Sequence, residues 1–273
     1  MDPFFLADGS GGQRLCLYHR PPSGAASGIV VYVHPFAEEM NKSRHMAAQQ
    51  ARALAAAGHA VLQVDLLGCG DSSGDFGDAS WAAWVADVVR VAAWLRERHA
   101  DAPLWLWGLR AGCLIAAEAA RQIDAPCHFL FWQPLNSGKA GLQQFLRLKA
   151  AADLLDAGAK GVVAGLRAQL AEGRPVDVAG YALAPDLASG FERAVLQPPK
   201  PGPGRVEWFE LGAAAQPELS PAAALGAAAW RKAGYDVRQA ALQGPAFWQT
   251  QEIEQAPALI AATSAALPEA VAA

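Results

Sequence analysis

Residues 104–113 read LWLWGLRAGC: an apolar strand runs straight into Gly108-Leu109-Arg110-Ala111-Gly112, and a helix of small residues follows. Two glycines in this frame mark a sharp strand-to-helix turn of the G-x-S-x-G type. The central residue of that turn sits on strained backbone and is exposed above the sheet. Here the central residue is arginine. Working outward, GIVVYVH (28–34), HAVLQVDLLGCGDS (59–72) and CHFLFWQPL (127–135) are further apolar runs of strand length. Between them lie helical patterns: AAQQARALAAAG, closed by Gly58, and WAAWVADVVRVAAWLRERH, with Trp81, Trp84, Val85, Val88, Val91, Ala92 and Leu95 at helical spacing. Strands alternating with helices, too far apart for hairpins, predict a mostly parallel sheet with helices on both faces.

The alternation breaks after residue 138. Residues 139–204 hold helical pieces, Gly/Pro-punctuated stretches and the extended tract QPPKPGPGR, and the pattern resumes with RVEWFEL, an Ala-rich helix at 222–234 and DVRQAALQG. The chain is therefore expected to be one domain over 1–273, with 139–204 inserted as a helical cap over the carboxyl ends of the strands, where such sheets bind ligands. A last helix with a frayed tail closes the sequence. The 273 residues are 53% hydrophobic and 18% charged, with a net charge of −4, which supports a large core and gives nucleic acid no basic stripe. No secretory signal is read in MDPFFLADGSGGQRL, and no apolar run is long enough for a membrane span. The four cysteines (16, 69, 113 and 127) have neither zinc nor disulfide-framework spacing. The expectation is a reducing, bacterial-type cytoplasmic compartment, with no metal and no cofactor.

Together these pieces resemble the α/β-hydrolase superfamily across nearly the whole chain. More narrowly, HPFAEEMNKSR, DLLGCGDSSGDF, WLWGLRAG, WQPLNSG and GPAFWQTQEI resemble the exosortase A system-associated hydrolase 2 family. The resemblance implies an α/β-hydrolase fold, an exopolysaccharide or exosortase setting, and a protein partner from that setting.

A serine hydrolase of this fold needs nucleophile, acid and histidine in that chain order. The histidines are at 19, 34, 45, 59, 99 and 128, so none follows residue 128, and the loop after the last strand reads Gly244-Pro245-Ala246-Phe247-Trp248. With Arg110 at the elbow as well, the Ser-His-Asp triad is absent. Cys69 and Cys113 are outsiders as nucleophiles, because a buried cysteine is normally an inert small hydrophobe. His34 ends its strand and is expected to order the following loop, with general base work as the alternative. Arg110, beside Ala111, reads either as half of an ion pair with Glu38 or Glu39 or as a fork for a ligand carboxylate or phosphate. Phe36, Gln133, Asn136 and Trp248 complete the expected pocket, Trp248 filling the place of the missing histidine. The expected function is the binding of a small anionic, acyl or sugar ligand, with weak or no ester hydrolysis. The alternative is an esterase, thioesterase or acyltransferase that uses an unconventional nucleophile or a water activated by Glu38 or Glu39.

Overall fold

The computed structural model describes residues 1–153, 161–200 and 202–267. The apolar runs form parallel strands β3 (Ile29–Val33), β4 (Ala60–Val64), β5 (Leu104–Leu109), β6 (Cys127–Trp132), β9 (Arg205–Gly212) and β10 (Asp236–Gln243). An antiparallel hairpin, β1 (Asp2–Ala7) and β2 (Gln13–His19), extends the sheet past β4. The full order is β1-β2-β4-β3-β5-β6-β9-β10. Among the described residues no helix is long and apolar enough to cross a membrane.

Each central strand is buried on both faces, and its alternate residues feed two separate cores. Ile29, Val31, Leu104 and Leu106 pack with helices α2 (Trp81–Arg98) and α3 (Ala111–Ala119). Val30, Tyr32, Trp105 and Trp107 face helix α1 (Glu38–Ala56) and the last helix, α8 (Pro257–Ala266). Trp105 and Trp107 are thus core residues. Gly58, at φ +96°, ends α1 as expected. The frayed tail falls on residues 268–273, outside those described.

The winding reverses at β3, since β4 lies on one side of it and β5 on the other. The carboxyl ends of β3 and β5 therefore flank the crevice where this architecture places its ligands. Between β6 and β9 the chain forms α4 (Gly138–Asp153), α5 (Val162–Ala171), an antiparallel ribbon of β7 (Val176–Val178) and β8 (Tyr181–Leu183), and α6 (Pro185–Arg193). The insertion is thus not purely helical, which corrects the sequence reading. After it comes α7 (Pro221–Lys232).

The inserted helices meet the rest of the molecule with almost no clearance. A Cβ added to Gly190 would lie 2.2 Å from Trp81 Cβ, and one on Gly141 would lie 2.7 Å from Leu135 Cδ1. Phe191 stacks on both Phe36 and Trp81, with centroids at 4.6 and 5.4 Å.

Candidate functional site

Arg110 occupies the turn that the sequence assigns it. Its φ of 55° and ψ of −118° place it in a region that side-chain-bearing residues rarely adopt, and it caps the N-terminus of α3. The two flanking glycines make the turn possible. A Cβ on Gly112 would sit 2.2 Å from the Val33 carbonyl oxygen, and one on Gly108 would sit 2.5 Å from the Cys113 backbone. Ala37, after β3, repeats the same geometry at the start of α1, with φ 48° and ψ −122°. Two strand ends thus turn sharply into two helix N-termini around one spot. Ala111 begins α3, where first-turn amides have no acceptor within the helix.

Glu38 and Glu39 form the first turn of α1 and face Arg110. Arg110 Nε donates to Glu39 Oε1 at 3.2 Å, and a terminal guanidinium nitrogen donates to Gln144 Oε1 at 2.9 Å. The guanidinium lies over the Trp248 ring, 5.6 Å from its centroid. Arg110 and Glu39 are both nearly enclosed, at 9% and 7% exposure. Phe36, Glu38, Glu39, Arg110, Gln144 and Phe191 are among the residues around a cavity of about 20 Å³, room for one water-sized group.

Burial pushes Glu39 up to about 7, against the pull of Arg110 and with a further push from Glu38. Glu38 is also raised, chiefly by burial. The folded protein therefore holds a proton on Glu39 that the unfolded chain, at its ordinary value of 4.5, has released. By linkage, this contribution to stability is complete below about pH 4.5 and is lost as pH rises through about 7. At about 1.4 kcal/mol per pH unit, the loss across that window is about 3 kcal/mol. Replacing Glu39 with Gln removes this share of the slope. Urea unfolding of both proteins across the window checks it, and parallel curves would rule it out.

Several expected residues take other roles. His34 is buried; its Nδ1 donates to the Pro35 carbonyl at 2.8 Å, and its Nε2 accepts from the Leu66 amide at 3.3 Å. Both ring nitrogens are engaged and burial lowers its pKa, so His34 orders the strand ends and is not a free base. Cys69 is enclosed with its thiol pushed up to about 12, and Cys113 is fully buried in α3 with its thiol raised as well. Burial holds both thiols protonated, as in the inert small hydrophobe that a buried cysteine normally is.

Of the residues expected in the pocket, Ala111, Gln133, Asn136 and Trp248 are not among those that line the cavity. Gln133 accepts from the Leu211 amide at 2.7 Å and clamps β6 to β9, while Asn136 donates to the Ala222 carbonyl at 2.6 Å and holds α7. In their place stand Gln144, Phe145 and Phe191 from the insertion, with Leu135 just before it.

Comparison with known proteins agrees with the fold. Residues 24–151, a little under half of the chain, match the family described as serine aminopeptidase, S33. A 109-residue stretch is 28% identical to human Protein ABHD12B; it covers 40% of this chain and spans 29% of the human protein's length. Among solved structures, Est1E from Butyrivibrio proteoclasticus with bound ferulic acid superposes with a TM-score of 0.64 at 14% identity, covering 97% of this chain and 96% of its own. Proline iminopeptidase from Mycobacterium smegmatis gives 0.58 at 13% identity, with 97% of each chain covered. The mouse alpha/beta hydrolase domain-containing protein 10 gives 0.58 at 12%, covering 97% and 96%.

Proposed function

The chain has the α/β-hydrolase fold, and we propose that its elbow holds a ligand without performing serine hydrolysis. One observation carries this reading. The strained turn survives intact, yet its side chain is a guanidinium already bonded to Glu39 and Gln144, and no histidine follows residue 128. An alcohol or water at such a site lacks the imidazole that would activate it. Function resides in the site and not in the fold, so likeness to hydrolases speaks of ancestry. On this reading the insertion is a cap over the crevice, and the ligand is a small acyl, sugar or anionic molecule. The motifs HPFAEEMNKSR, WLWGLRAG and GPAFWQTQEI support a role in a cytoplasmic step of an exosortase or exopolysaccharide system.

The parent protein is expected to turn over p-nitrophenyl esters no faster than a triad-deficient hydrolase, which retains roughly 10³–10⁴ over water. It is expected to take no label from fluorophosphonate probes. Efficient turnover combined with labelling at a single serine would overturn the proposal.

A further inference from the structure

The cavity beside Arg110 narrows the ligand class. Glu38 lines it, and Glu38 Oε2 is enclosed with no hydrogen-bond partner among the described residues. A buried carboxylate oxygen without a donor is costly, and it marks a place where a donor belongs. Another wall is Arg110, whose two hydrogen bonds to Glu39 and Gln144 leave further N–H groups of its fork unspent.

Each kind of polar group meets this pair differently. An ammonium only donates and would face the like charge of Arg110. A carboxylate or phosphate only accepts and would face Glu38 and Glu39 together. A hydroxyl donates through its hydrogen and accepts on its oxygen, so it satisfies both walls at once. The enclosed part agrees in size, since about 20 Å³ admits one oxygen with its hydrogen. Phe36, Phe145, Phe191 and Leu135 line the wider space around it, about 280 Å³ counting what is open to solvent, and offer apolar surface to the body that carries the hydroxyl.

We infer that this pocket seats the hydroxyl of an alcohol with an apolar or ring-shaped body, the O–H donating to Glu38 Oε2 and the oxygen accepting from Arg110. This rests on the reading of the elbow as a holding site, and it sets anions aside in favour of a neutral alcohol.

The test uses four probes that share one ring: benzyl alcohol, benzyl methyl ether, benzylamine and benzoate, titrated against the parent protein by saturation-transfer NMR. Benzyl alcohol should bind roughly tenfold or more tighter than its methyl ether, the worth of a hydrogen bond to a charged group. The amine and the acid should both bind more weakly than the alcohol. Glu38→Leu should bring the alcohol down to the ether's affinity and leave the ether's own unchanged. Equal affinities for alcohol and ether, tighter binding of benzoate or benzylamine, or no saturable binding of the alcohol would each overturn the inference. The probe series on the parent decides even where the variant fails to fold. Ester turnover by the parent would remove the holding-site reading and leave these affinity ratios standing. A missing alcohol preference in a catalytically silent protein would remove only the inference.

Discussion

Above the pH at which Glu39 ionises, Glu39→Ala is expected to lose about 3–5 kcal/mol in denaturant unfolding relative to the parent. The cause is the cation left behind, more than the contact removed. Arg110 keeps its charge under all conditions a folded protein meets, so it cannot escape burial by neutralising. With Glu39 gone it keeps the neutral acceptor Gln144, the face of Trp248 and the attraction of Glu38, which makes no direct ion pair with it. A cation–π contact is worth about 0.5–2 kcal/mol, less than the penalty of an uncompensated buried ion. The same reasoning fixes the sign of the control. Arg110→Met combined with Glu39→Ala removes both charges and is expected to be more stable than Glu39→Ala alone. Additive losses in that double-mutant cycle, or a loss below about 1 kcal/mol for Glu39→Ala, would show that water screens the pair.

This pair stood out in the sequence because both partners lie within a few residues of a strand end. Strands such as VVYV and LWLW are buried on both faces and read as continuous apolar runs, which fixes where they stop. Arg110, Glu38 and Glu39 follow from those stops, and so does the turn between the flanking glycines.

The N-terminal hairpin was not legible in the same way. β1 alternates between half-buried and exposed residues, and Phe5, pointing outward, remains 51% exposed. Such an edge strand has no periodicity strong enough to separate it from a loop. Gln133 and Asn136 misled for a different reason. They follow β6 at the crevice end, but unpaired backbone groups nearby claim their amides first. Phe145, Phe191 and Gln144 were out of reach because tertiary packing brings them in. The stretch that supplies them carries no pattern tying it to the elbow.

Restoring serine at position 110 is expected to leave the protein as inactive as before. A hydroxyl attacks an ester well only when a neighbouring base takes its proton, and loss of a complete triad costs roughly 10⁶ in kcat. Three candidates for that base can be weighed. His34 has both nitrogens committed and its pKa lowered by burial. Position 248, above the elbow, is an indole and not an imidazole. Glu39 remains, but Arg110→Ser removes the arginine whose charge lowers its pKa, while burial still raises it. Its carboxyl then moves further above 7 and stays protonated at neutral pH, where it is no base. The Arg110→Ser protein should therefore hydrolyse p-nitrophenyl acetate within about tenfold of the parent's rate, well below what an intact triad delivers. Placing an imidazole as well, with Arg110→Ser and Trp248→His together, supplies the missing kind of base where the indole now covers the guanidinium, so any gain should require both changes. Brisk turnover by the serine variant alone would identify Glu39 as a competent base, and its pH–rate profile would then rise through the pKa of that carboxyl.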